Sequence, residues 1–362
     1  MFIKILESTS FETKNLNQKQ NPNNKYLLKQ NLMPNLRTNY LGLELKNPII
    51  VASSGLTDSV EKIKELEANG AAAVVLKSIF EEEIIMEMDE QMHNMTSRPY
   101  IYPETFDYMS EEPEEDIVRK YLRLIKEAKE AVSIPVIASV NCVSSQKWTY
   151  LAREIEKAGA DAFEINLFVL PTDMNRTVDE NQNIYYEVLK EVKAQVALPV
   201  ALKISPYHSN LANMVKKLDD SGADGVVMFN RFYSPDIDIH NLSLSSGQIL
   251  SGAYDFKNTL RWVGILRDRI KGSIAATTGI HSSESIIKQL LAGADVVQLA
   301  SVIYKEGPGY IDILTKEIYS WMEEQGFENL QDFQGKMSQN KSNDPAAYER
   351  VQFMKHFRNF VM

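Results

Sequence analysis

The chain has 362 residues, 44% apolar and 24% charged, with a formal net charge of −10. That is the composition of a globular protein with a large core, and an acidic chain without a Lys/Arg cluster is a poor nucleic-acid surface, which leaves a small molecule as the expected ligand. Its one cysteine, Cys142, excludes an intramolecular disulfide and any multi-cysteine zinc or iron–sulfur site, so no metal is expected and a reducing cytoplasm suits the chain.

Residues 1–33 are rich in Asn, Gln and Lys and read as a disordered extension, or as translation from upstream of a natural start at Met33, with a short docking arm as the alternative. They lack the basic-then-apolar order of a secretion signal, and no apolar run of about 18 residues follows that would cross a bilayer, so no membrane partner is expected. From there eight apolar runs bounded by turn residues succeed one another: Pro48–Ser54, Ala72–Ser78, Ile134–Cys142, Ala162–Leu170, Pro199–Pro206, Gly225–Arg231, Ser273–Gly279 and Val296–Ser301. Most are continuously apolar, the mark of parallel strands covered on both faces. Amphipathic stretches with helical spacing separate them at Ser59–Asn69, Glu114–Val132, Ser145–Ala158, Ile184–Val196, Ser209–Ser221, Phe256–Ile270 and Ser282–Ala292. Such alternation predicts an α/β protein with a single (β/α)8 barrel over 34–337, preceded by the extension and followed by a C-terminal tail, 338–362. Four strand entries, ANGAAAVVL, KAGADAFEI, DSGADGVVM and LAGADVVQL, share a helix-ending glycine and a small residue, a structural repeat without chemical content. The connections 79–113 and 232–254 are long enough to be binding segments over the barrel mouth.

Chemistry in this architecture sits at the C-terminal ends of the strands. Read in order, those ends offer Ala52 and Ser53, Lys77 and Ser78, Asn141 and Cys142, Asn166, Lys203, Asn230, then Thr278 with Gly279 and Ala300 with Ser301. The last two pairs end strands on small residues before helices, as a phosphate site requires, because backbone N–H groups can then converge on one anion. Two lysines and three asparagines aimed into one mouth need partners that an apolar core does not offer; a polar ligand supplies them. A lysine there can stabilise negative charge on a reduced ring.

The segments NPIIVASSG (47–55), VVLKS (74–78), EINL (164–167), ALKISPY (201–207), SGAY (251–254), TTGI (277–280) and YKEGPGYIDILTKEIYSWMEEQGF with DFQGKM (304–337) resemble the dihydroorotate dehydrogenases, in particular the soluble class 1 enzymes. The resemblance implies FMN as cofactor, an unidentified electron acceptor, a homodimer and a role in pyrimidine biosynthesis. Carried over by position, Ala52 and Ser53 line the flavin, Lys77 and Ser78 contact ring and substrate, Asn166 and Lys203 bond the ring, and Ser251, Gly252, Thr278, Gly279, Ala300 and Ser301 hold the phosphate; Asn141 joins the cofactor set from its strand end. Asn230 matches a substrate-contacting asparagine.

The chain departs from the family at the proton-abstracting base. Where the family has a Cys or Ser, this sequence has Val169, within Phe168, Val169, Leu170 and Pro171, and a valine takes no proton. The loop that grips the substrate carboxylate is not recognisable in 96–109, and Arg231 replaces a serine. Cys142 is the candidate substitute base, set against a role as core filler; His208, Tyr102 and Tyr207 are further candidates, and Arg231 could hold a substrate carboxylate or pair with Asp236 or Asp238. The expectation is an FMN-dependent oxidoreductase of the dihydroorotate dehydrogenase type with its substrate open. The alternative is an FMN-binding carrier, sensor or partner protein.

Overall fold

The computed structural model describes residues 34–87, 116–142, 149–167, 169–231 and 235–349. The expectations for 1–33, for most of 79–113 including Tyr102, and for the last residues of the tail lie outside these. Two short antiparallel strands come first, β1 (Thr38–Tyr40) and β2 (Leu43–Leu45), joined by Leu41 and Gly42 with φ of 56° and 79°. Positive φ at both turn residues gives the tight hairpin whose twist matches its strands. The hairpin plugs the N-terminal end of a parallel barrel: Tyr40, Leu41 and Leu45 are buried against Ile50, Ala73, Ala162, Ala201, Ala275 and Val296. Small residues at the strand starts make room for Tyr40, and Gly225 for Leu41, since a Cβ at Gly225 would stand 2.6 Å from Leu41 Cδ2.

Eight parallel strands form the barrel in chain order: β3 (Ile49–Val51), β4 (Ala73–Val75), β6 (Val136–Cys142), β7 (Ala162–Leu167), β8 (Val200–Ile204), β9 (Gly225–Met228), β12 (Ser273–Thr277) and β13 (Val296–Leu299). The ring closes through β13 on β3 and through β4 on β6. The second predicted strand is interrupted after Val75 and resumes as β5 (Ile79–Phe80), which pairs with the end of β6. Another antiparallel pair, β10 (Pro235–Asp238) and β11 (Ser243–Ser246), occupies the predicted long connection after β9.

Helices α1 (Val60–Ala68), α2 (81–87), α3 (Ile117–Ala131), α4 (Thr149–Lys157), α5 (Val178–Lys193), α6 (Leu211–Asp220), α7 (Phe256–Leu266), α8 (Ser283–Ala292), α9 (Ser301–Glu306) and α10 (Tyr310–Gln325) cover the barrel, and a short α11 (Ala346–Glu349) lies near the end. The main core lies between strands and helices, where residues such as Val136, Phe163 and Leu202 meet Ile125, Leu189 and Met214. Residues after α10 pack back onto this layer: Phe333 is fully buried against Trp321, and Gln339 N–H donates to Gly264 O at 2.9 Å. No helix among the described residues is long and apolar enough to cross a membrane.

Candidate active site at the barrel mouth

Side chains alternate along a strand, so the residues that share a face with the buried plug contacts line the barrel interior. On β7 that sequence is Ala162, Glu164, Asn166; on β8 it is Ala201, Lys203; on β13 it is Val296, Gln298, Ala300. Asn166 and Lys203 are also register partners on adjoining strands. Above the apolar plug there is therefore a polar layer. A cavity of about 310 Å³ opens over it, walled by Ala52, Ser53, Asn166, Lys203, Asn230 and Arg231 on one side and by Ser251, Thr278, Gly279, Ala300 and Ser301 on the other, with Phe229, Gln298 and Tyr304 between.

The floor is charged and tightly bonded. Lys203 Nζ lies 3.5 Å from Glu164 Oε1, and both side chains are almost wholly buried. Gln298 Nε2 donates to Glu164 Oε2 at 2.6 Å. Asn230 Nδ2 donates to the carbonyls of Leu167 and Lys203, both at 3.3 Å. Two acceptor atoms are buried without a protein partner, Asn166 Oδ1 and Gln298 Oε1. Burying an acceptor without a bond costs about 1–3 kcal/mol, so a ligand with donors on its edge fits this floor.

The other half suits an anion. Thr278 and Gly279 both have φ of 74°, and Thr278 Oγ1 donates to Phe229 O at 3.1 Å. The Ser251 hydroxyl accepts from Gly279 N–H at 3.2 Å and meets His281 Nε2 at 3.2 Å, while Ser251 N–H donates to Ser301 Oγ at 3.0 Å. Lys305 Nζ donates to Ser251 O at 3.3 Å, and burial, with Lys305 next, holds the His281 imidazole below the usual histidine range. Hydroxyls, amides and two basic side chains thus converge in an otherwise acidic protein. Glycine at 279 has a packing reason besides the open approach expected for an anion. A Cβ there would stand 2.4 Å from Phe256 N and 2.8 Å from Asp255 C, so the missing side chain makes room for the start of α7 as well as for a positive φ.

Other expected residues stand elsewhere. Lys77 and Ser78 line a separate cavity of about 650 Å³ with Ile79, Glu83, Tyr121 and Leu124. Ser78 still reaches the mouth through a hydroxyl chain, Ser53 Oγ to Ser78 Oγ at 3.0 Å and Ser78 Oγ to Ser139 Oγ at 2.7 Å. Asn141 is buried in register with Asn166 but is not part of the mouth wall. Gly252 N–H is taken by Asp255 Oδ2 at 2.9 Å.

The substitute bases fare poorly. Cys142 is buried in the apolar core, and that burial, with Glu81 and Glu82 adding to it, pushes its thiol well up, away from the thiolate a base requires. Val169 packs against the same core. His208 stacks edge-on against Tyr185 with centroids 5.3 Å apart, and burial lowers its pKa. Tyr207 is exposed, with its N–H on Ser205 Oγ at 3.0 Å. Arg231 forks onto backbone instead of a carboxylate: Nη1 donates to Ile249 O and Nη2 to Gln248 O at 2.6 Å, while Asp238 is occupied by its own turn.

A family model described as dihydroorotate dehydrogenase matches residues 35–322, well over half of the chain. The chain belongs to the dihydroorotate dehydrogenase family. Its similar relatives include the "dihydroorotate dehydrogenase B (NAD(+)), catalytic subunit" of Thermoplasma volcanium, 29% identical over 84% of this chain and 98% of that protein. The protein of the same description from Methanocaldococcus jannaschii is 26% identical over 80% and 94%. The "dihydroorotate dehydrogenase A (fumarate)" of Lactobacillus helveticus is 25% identical over 85% and 100%. The chain is an oxidoreductase of the dihydroorotate dehydrogenase type, of the class acting on CH–CH groups. Members of this dihydroorotate dehydrogenase family bind FMN.

The mouth-wall residues at strand ends are legible in the sequence, whereas Glu164, Gln298, His281, Tyr304 and Lys305 do not stand at strand ends. A signal for the first two existed: a polar residue two places before a strand-end site residue, in EINL and again in VVQLA, shares its inward face.

Proposed function

We propose that this chain binds FMN across the mouth cavity and oxidises dihydroorotate or a related reduced ring acid. The observation that carries the reading is the pair of buried, unpartnered acceptors, Asn166 Oδ1 and Gln298 Oε1, beside the Lys203 ammonium. They suit the donor and acceptor edge of a flavin ring, and Ser251, Thr278, Gly279 and Ser301, with His281 and Lys305 behind them, suit its phosphate. FMN, when bound, supplies the hydride acceptor for substrate oxidation. Lys203 would hold positive charge beside the ring and so stabilise negative charge on it. Asn166 Oδ1 and Gln298 Oε1 would orient the ring by accepting from a donor on its edge. Asn230, tied to the carbonyls of Leu167 and Lys203 and lining the cavity, would meet the substrate with its amide oxygen.

Proton removal is the weak point of the reaction in this chain. Val169 stands where the family has its base, and neither Cys142 nor His208 belongs to the mouth wall. General-base catalysis contributes about 10²–10⁴-fold, so dihydroorotate oxidation should be slower by that order than in base-bearing relatives. Anaerobic mixing of the FMN-loaded protein with dihydroorotate and a panel of dihydro ring acids should bleach the flavin, slowly with dihydroorotate. A flavin that stays yellow with the whole panel would sink the substrate reading and favour an FMN carrier or sensor. NAD(+) and fumarate, the words carried in the relatives' descriptions, are the first acceptors to test for reoxidation. We further infer a cytoplasmic homodimer, to be checked by sedimentation against the chain mass of 41.2 kDa.

A further inference from the structure

Below the cavity floor sits a charged group that the proposed reaction does not use. Glu164 lies on β7 two residues before Asn166, faces the barrel interior and is fully buried. A carboxylate in such a place is costly unless it is paired and hydrogen-bonded. Its partners are Gln298 Nε2 at 2.6 Å and Lys203 Nζ at 3.5 Å, the latter its one salt bridge among the described residues. Each partner is also part of the mouth wall. Glu164 therefore holds two wall residues from behind: it accepts a hydrogen bond from the Gln298 amide nitrogen, while Gln298 Oε1 is left unpartnered, and it stands 3.5 Å from the Lys203 ammonium.

We propose that Glu164 is a positioning residue that sets the reduction potential of the bound flavin through Lys203. The proposal rests on the FMN reading. Two-electron reduction of a flavin places negative charge on its ring, and the nearest cation on the floor answers to two anions, the ring above and the carboxylate beneath. In a buried site the Coulomb coupling between charges a few ångströms apart is strong, so a counter-anion 3.5 Å from the ammonium weakens its pull on the reduced ring. With Glu164 present, the potential is held lower than an unpaired lysine would make it. Once Glu164 is neutral, the reduced ring becomes the main counter-anion of Lys203 and is favoured over the oxidised ring. Glu164 touches neither substrate nor cofactor in this account; it acts on the cofactor only through Lys203 and Gln298.

The test is the midpoint potential of the FMN-loaded protein, measured by dithionite reduction against an indicator dye. Glu164→Gln keeps an oxygen for the Gln298 amide and removes the charge. It should shift the potential in the positive direction by at least the equivalent of a tenfold change in the ratio of reduced to oxidised affinity, about 30 mV for a two-electron couple. In the Lys203→Gln background the same substitution should shift the potential little, because the cation through which it acts is gone. Glu164→Asp, which keeps the charge but draws it back by one methylene, gives a smaller positive shift and serves as the readout if the Gln variant fails to fold. An FMN-loaded variant with wild-type potential would overturn the proposal while leaving the FMN reading intact, as would an equal shift with and without Lys203. Wild-type protein that folds and takes up no FMN overturns both.

Discussion

Lys203 is the residue on which the site turns, because it is the only ammonium among the side chains described in the mouth wall. Lys203→Ala should reduce FMN affinity and turnover together by at least tenfold, measured by fluorescence titration and by the bleaching rate; wild-type values for both would remove it from the site. Val169→Cys should restore little dihydroorotate oxidation, since position 169 packs against the core and not the mouth wall. A gain of a hundredfold would show that base loss is the sole defect. Lys203 and Asn166 were legible because they stand at the ends of apolar strands where a polar residue has no structural reason to be. Cys142 looks like a possible base for the same reason, a strand-end position. Its side chain falls on the outward face of β6, because alternation from the inward Ile137 puts Asn141 inside and Cys142 in the core between strands and helices.

Local chain chemistry determined the elements more than composition did. Helix α5 begins at Val178 because Thr177 and Glu180 form a reciprocal cap: the Thr177 hydroxyl accepts from Glu180 N–H at 3.2 Å and Thr177 N–H donates to Glu180 Oε2 at 2.6 Å. Apolar periodicity alone starts that helix six residues late, at Ile184, although the T-x-x-E spacing was present in the sequence. Thr177→Ala should cost about 0.5–2 kcal/mol in chemical denaturation. The two hairpins leave no strand pattern in the sequence, for different reasons. The plug hairpin has strands of three residues each, too short for periodicity to register, and the β10–β11 pair exposes Ile237, Leu242 and Leu244 to solvent, against the burial that a strand pattern implies. Gly279→Ala should destabilise the protein by more than about 1 kcal/mol, because φ is 74° and the added carbon meets the start of α7. Recovery of wild-type stability in that variant would contradict the packing account of this glycine.

At the scale of the molecule, eight parallel strands in chain order were legible from alternation, since parallel strands covered on both faces must read as apolar runs and their crossovers as amphipathic helices. What alternation could not convey was which inward residues form the polar layer, because that depends on register between strands far apart in sequence. The half-buried imidazoles of His208 and His281 should give the fold a pH dependence. Burial lowers the pKa of His208, and burial with Lys305 lowers that of His281, so the unfolded chain takes up these protons at a higher pH than the folded one. Their contribution is therefore present above about pH 6.5 and is lost as pH falls below it. The urea midpoint should fall between about pH 7.5 and 5.5, and His208→Phe should flatten that slope; an unchanged slope would leave His208 uninvolved.

The proposed FMN site stands on the Asn166, Lys203 and Gln298 floor of the barrel mouth. The decisive measurement is a titration of the purified, FMN-stripped protein with FMN, followed by flavin fluorescence. Binding should saturate at one FMN per chain and weaken in Lys203→Ala; a folded protein that leaves the fluorescence of added FMN unaltered would refute the site.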